Sequence, residues 1–170
     1  MCFLTDLKAL FTALMFVSAC LPGAAAETRL LRYPDIHEDK IVFCYGGDIY
    51  AASSSGENVR QLTSFPGEEL LPKFSPDGEQ IAFSAEFEGN KEVYVMSARG
   101  GNPKRLTFHP AEEYVVDWHP DGTRVLFRSN GSSFSYRFNR LHSVSVQGGL
   151  PTVLELAEAC LLYTSDAADE

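Results

Sequence analysis

The chain has 170 residues, 45% of them hydrophobic and 22% charged, a composition that suits one soluble globular domain or part of a larger protein. Its formal net charge is −9, with a pI near 4.9. That balance argues against nucleic acid or an anionic membrane as partner, since both require clustered Lys and Arg to displace counterions.

The first element in chain order is apolar. Residues 9–21 (ALFTALMFVSACL) form a run too short to span a bilayer comfortably. Pro22-Gly23 breaks it, and Ala24-Ala25-Ala26 supplies a small-x-small cleavage site. Residues 1–26 therefore read as a secretory signal peptide cut after Ala26, which makes the mature protein periplasmic or secreted. The n-region is weak, because Asp6 offsets Lys8. A lipoprotein signal competes, since Val17-Ser18-Ala19-Cys20 resembles the motif that precedes a lipidated cysteine. Cys2 and Cys20 fall in the signal and Cys160 in an anomalous tail, so the body keeps Cys44 alone and can form no internal disulfide. Cys44 follows a strand-like KIVF and reads as a small core residue.

Three units follow, at about 29–69, 70–113 and 114–159. Phe43, Phe83 and Phe127 recur at offsets of 40 and 44, and Leu62, Leu106 and Leu154 at 44 and 48. Each unit reads as four short strands, placed in the second at about Leu71–Phe74, Gln80–Ala85, Glu92–Met96 and Lys104–Thr107. Ile81, Phe83 and Ala85 alternate with Gln80, Ala82 and Ser84, the period of a strand. Ile41, Phe43 and Tyr45 repeat the pattern, as do Val125 and Phe127. Turn signals stand between the strands, among them Gly46-Gly47, Gly89-Asn90, Gly100-Gly101, Asn130-Gly131 and Gly148-Gly149. Four antiparallel strands repeating every 40 to 50 residues describe the blade of a β-propeller, and no helical periodicity competes. The fold class expected is all-β: about three blades of a six-bladed ring.

Ser75-Pro76-Asp77-Gly78 suits a type I turn, with Pro presetting φ and a Ser or Asp side chain bonding a nearby N–H. His119-Pro120-Asp121-Gly122 repeats it, and Asp35–Lys40 stands in its place in the first unit. A turn explains one copy per blade better than a catalytic aspartate does. The pairs Glu68-Glu69 and Glu112-Glu113 read as solvated turns.

These residues resemble the WD40-like propeller repeat of the tricorn and TolB type, whose hallmark is an aromatic-Ser-Pro-Asp-Gly turn before an Ile-x-Phe strand. The closer resemblance is to the N-terminal propeller of tricorn proteases, from about Arg29 to Leu156. It is carried by LLRYPDIHEDKIVFCYGGDIY (30–50) and RQLTSFPGEELLPKFSPDGEQIAFSAEFEGNKEVYV (60–95). KRLTFHPAEEYVVDWHPDGTRVLFRS (104–129) and FNRLHSVSVQGGLP (138–151) continue it. The resemblance implies a large, multidomain, peptide-trimming serine protease, a candidate homo-oligomer. In that family this propeller precedes a second propeller, a PDZ-like module and the catalytic domains, and forms a channel for peptide substrates or products. The family's catalytic groups lie far C-terminal of these motifs, so no residue here inherits a catalytic role.

The residues agree. There is no Gly-x-Ser-x-Gly elbow, and Ser53-Ser54-Ser55-Gly56 is a turn. His37, His109, His119 and His142 lack metal-site spacing and read as structural or solvated, so no metal or cofactor is expected. The glycine pairs lack the Lys-Ser/Thr of a phosphate loop. Trp118 and Phe127 read as blade-packing aromatics. The end of the chain, CLLYTSDAADE (160–170), breaks the repeat and resembles the translation of a transposase sequencing adapter, so a truncated reading frame is expected. Three blades alone would leave blade faces and a strand edge open, an aggregation hazard. Two alternatives remain: a TolB-like periplasmic protein-binding propeller, and the propeller cap of a prolyl-oligopeptidase-type hydrolase. Against the first stands the absence, between signal and repeats, of the helical domain such proteins carry.

Overall fold

The structure, a computed structural model, describes residues 30–131 and 139–155. The signal at 1–26 and the tail at 160–170 lie outside the described residues. Within them the chain is all-β, as three four-stranded antiparallel sheets in chain order. Blade 1 holds β1 (Arg32–His37), β2 (Lys40–Tyr45), β3 (Asp48–Ser53) and β4 (Arg60–Gln61). Blade 2 holds β5 (Glu69–Phe74), β6 (Gln80–Ala85), β7 (Glu92–Ser97) and β8 (Lys104–Arg105). Blade 3 holds β9 (Glu113–Trp118), β10 (Arg124–Ser129), β11 (Arg140–Ser145) and β12 (Thr152–Val153).

The repeated anchors occupy one register. Phe43 lies opposite Tyr50, Phe83 opposite Tyr94 and Phe127 opposite His142. Because strand side chains alternate, β6 serves both neighbours. Ile81, Phe83 and Ala85 pack on blade 1 residues Val42, Cys44 and Ile49, whereas Ala82 joins Val115, Trp118, Val125 and Phe127 of blade 3. Blade 2 is thus buried on both faces, and the core consists of two seams.

The first strands bend. Register shifts interrupt the pairing at Arg32/Asp35, Leu70/Lys73 and Leu126/Phe127, where a bulge tightens twist and lets each first strand curve. In the second unit the first strand begins two residues earlier than expected, at Glu69, and the fourth ends two residues earlier, at Arg105. The fourth stops because the Val93 N–H bonds the Thr107 hydroxyl (2.9 Å), a side chain taking the role of a ladder carbonyl.

The glutamate pairs need correction. Glu69 and Glu113 are buried and open β5 and β9, and only Glu68 and Glu112 face solvent. Alternation along a strand explains the split: one residue of each pair must point into the seam.

The Pro-Asp-Gly motif forms the turn that was expected. The Gly78 N–H bonds the Ser75 carbonyl (2.8 Å), and the Gln80 N–H bonds Ser75 Oγ (2.9 Å). Ser75 Oγ donates to Asp77 Oδ1 (2.6 Å), which also accepts from the Glu79 N–H (3.0 Å). Gly78 and Gly122 adopt φ of 66° and 70°, which explains glycine at both places. Glu38 fills the corresponding place in blade 1 at φ 53°.

Candidate functional site

Two places can carry function: the inner strands and the seams. β1 packs on β5 and β5 on β9, so the first strands form the inner side of the arc. Charge is arranged along them. Lys73 Nζ reaches Asp35 Oδ1 (2.8 Å), and the Phe74 N–H donates to Asp35 Oδ2 (2.9 Å). One carboxylate thus joins two inner strands with a charge-assisted pair of bonds. At the next junction, Trp118 Nε1 donates to the Lys73 carbonyl (2.9 Å). Trp118 and Phe127 are buried packing aromatics.

The turns between first and second strands stack along one rim. His37 lies over Gly78, so close that a Cβ there would fall 2.2 Å from the ring, and Pro76 abuts Gly122. The hydrogen bond from Ser75 holds the Asp77 carboxyl below its ordinary value, and backbone N–H bonding at Thr123 does so for Asp121. Both are stable anions committed to their turns, the opposite of a proton-transferring group.

Each seam holds a buried bolt. In the first, between blades 1 and 2, Thr63 Oγ1 accepts from the Ile49 N–H (2.8 Å) and donates to Glu69 Oε2 (2.7 Å). In the second, between blades 2 and 3, the Val93 N–H and Thr107 hydroxyl repeat this, and Thr107 bonds the Glu113 carboxyl. Backbone bonds run alongside, from Glu69 N–H to the Gly47 carbonyl (2.8 Å) and from Glu113 N–H to the Lys91 carbonyl (2.9 Å). Basic side chains cross as well. Arg60 donates to the carbonyls of Ala98 and Arg99, and Lys104 to that of Val146. Burial pushes the carboxyls of Glu69 and Glu113 up to about 7, so both are substantially protonated at neutral pH. Burial also raises Glu92, which pairs with Arg105.

The histidines fall in four separate settings. His37 packs on Phe74, with ring centroids 6.0 Å apart. His109 Nδ1 accepts from the Ala111 N–H (3.0 Å). His119 Nδ1 lies 3.0 Å from Asp121 Oδ1, and His142 is buried and stacked on Phe127 (5.1 Å). Among the described residues no group of three or more His, Cys, Asp or Glu side chains could hold a metal ion. Burial pushes the Cys44 thiol up to about 12, which leaves it unreactive at neutral pH.

The Thr–Glu bolts escaped the sequence reading, although a signal existed. Thr63 and Glu69 are six residues apart, as are Thr107 and Glu113, and the pair recurs at 44.

This repeated inner-strand and bolt geometry can be set beside known proteins. The sequence profile described as the tricorn protease N-terminal beta propeller domain matches residues 28–169. The chain belongs to that family. No curated protein sequence matches it. Among solved structures, the tricorn protease superposes with a TM-score of 0.71 at 24% identity, over 81% of this chain and 14% of that one. TolB from Acinetobacter baumannii gives 0.64 at 25% identity, over 74% and 32%. Putative TolB from Agrobacterium tumefaciens gives 0.62 at 22%, over 74% and 46%. The chain thus spans less than half the length of each of these structures.

Proposed function

We propose that this tricorn-family propeller is the non-catalytic, substrate-gating part of an exported, peptide-trimming serine protease. Peptide substrates or products pass along its channel. The observation that carries the reading is the family match across residues 28–169, with first strands packed side by side as an inner wall. Export rests on residues 1–26. The charges joining β1 to β5 suit a wall that meets peptide backbone and termini rather than a reaction centre.

The experiment is peptidase assay of the full-length parent with peptides of increasing length. Lys73→Glu on the inner wall is expected to alter kcat/KM for long peptides while leaving the shortest unchanged. Equal effects at every length overturn the channel reading, and a parent that hydrolyses no peptide overturns the protease reading. A TolB-like protein-binding propeller is the second reading, favoured by the likeness to TolB from Acinetobacter baumannii at 25% identity. It predicts a stable protein partner and no hydrolysis.

A further inference from the structure

The two seams share a backbone plan but not a filling. In the first seam, four aromatic rings close the space beside the bolt. Phe87 lies 4.8 Å from Tyr94, 5.1 Å from Phe65 and 6.4 Å from Phe83, centroid to centroid. Carried forward by the repeat, Phe83 becomes Phe127, Tyr94 becomes His142, Phe65 becomes His109 and Phe87 becomes Gly131. Ala85 likewise becomes Ser129. At these matched positions, among the described residues, one phenyl ring is lost and two rings become imidazoles. The connection after Gly131 is four residues longer than in blade 2 and continues at 132–138, outside the described residues.

The second seam holds a cavity of about 270 Å³ among the residues that take those places. His109, Gly131, His142 and Ser129 line it, with Glu113 of the bolt; Leu150 and Phe108, both largely exposed, form an apolar lip. Gly131 lets the His109 ring lie where it does, because a Cβ there would fall 2.4 Å from that ring. Two polar atoms at this place are buried without a partner, Nε2 of His142 and Oε2 of Glu113. The first seam shares the unpartnered carboxyl oxygen, at Glu69, but has no counterpart to the imidazole nitrogen. Burial lowers the basicity of His142, which keeps its ring neutral and able to exchange hydrogen bonds with an uncharged group.

We propose that this cavity is a binding site for a single phenolic ring, either that of a tyrosine side chain or that of a small free phenol. The first seam shows what the place is shaped to hold: a six-membered ring beside the residue at position 94 or 142. A ring seated where Phe87 sits in the first seam would lie against His142, and a hydroxyl on it would reach polar atoms that otherwise stay unpaired. The volume is sufficient, since an apolar cavity of about 150 Å³ already accepts benzene. The inference does not depend on the channel reading above.

The test is calorimetric titration of the purified full-length parent with p-cresol, toluene and N-acetyltyrosinamide. Saturable binding of p-cresol, with toluene weaker by roughly three- to tenfold, is expected from one added hydrogen bond. His142→Phe keeps a ring but removes the nitrogen, and should bring p-cresol down to the affinity of toluene. The double variant His109→Phe, Gly131→Phe refills the cavity as in the first seam and should abolish binding of both. If the double variant does not fold, His142→Phe still decides. Binding of N-acetyltyrosinamide together with p-cresol points to tyrosine in a peptide, and p-cresol alone to a free phenol. No saturable p-cresol binding, equal affinity for p-cresol and toluene, or binding that survives the refilled cavity each overturns the proposal.

Discussion

The first seam is filled by rings and the second by polar groups around a space, although the same backbone bonds hold both. Thr63–Glu69 and Thr107–Glu113 occupy matching places, and Arg60 and Lys104 reach matching carbonyls. Beside these constants, Phe65, Phe87 and Tyr94 of the first seam correspond to His109, Gly131 and His142 of the second. Adhesion between blades and the filling between them are therefore separable. The bolt and the inner-strand contacts set how blades sit, and the outer filling is free to vary.

The largest test of this comparison removes a ring from the filled seam. Phe83 is fully buried, and Phe83→Ala should cost about 3–5 kcal/mol in chemical denaturation, because it removes the side chain and leaves a void. A cost below about 1 kcal/mol would mean that the first seam is not packed as described.

The next test uses pH. The folded-state pKa values of Glu69 and Glu113 are raised to about 7, above the ordinary carboxylate value of 4.5. Their contribution to stability is therefore fully present below about 4.5 and is lost as pH rises from there through 7. The double variant Glu69→Gln, Glu113→Gln should flatten the stability profile across that window, measured by urea midpoints. Asp77 and Asp121 act in the opposite sense, and their contribution fades as pH falls below their ordinary 3.8. An unchanged slope in the Gln variant would show that the bolts are ionised in the folded protein.

The smallest effect compares the two rim glycines. Both have positive φ, so alanine costs about 1 kcal/mol or somewhat more at either. Gly78→Ala should cost more than Gly122→Ala, because its Cβ would meet the His37 ring, whereas at Gly122 the nearest atom is Pro76 Cδ at 3.8 Å. Thermal melts of the two variants give the order directly, and equal costs would mean that His37 does not pack on the turn.

The fold was legible in the sequence for a physical reason. Strand period, turn chemistry and recurring Phe and Leu are local features, and three copies reinforce one another. Ser75–Gly78 declared its turn, and Trp118, Phe127 and Cys44 declared their burial. The seams were less legible. Glu69 and Glu113 look like surface residues, because nothing local shows that a hydroxyl six positions earlier in the chain will meet them inside a seam. The cavity was hidden for a related reason. Gly131 reads as a turn glycine until Phe87 is seen to occupy the same place one blade earlier, and that comparison needs register as well as period. The predicted signal at 1–26 and tail at 160–170 rest on sequence alone.

The central claim is that one buried Thr–Glu bond joins successive blades, and two double-mutant cycles test it. Thr63→Val with Glu69→Met, and Thr107→Val with Glu113→Met, each single variant removing the bond, should each give a coupling energy of about 0.5–3 kcal/mol, similar at the two seams. Coupling near zero at either seam, with the single variants simply adding, would contradict the account.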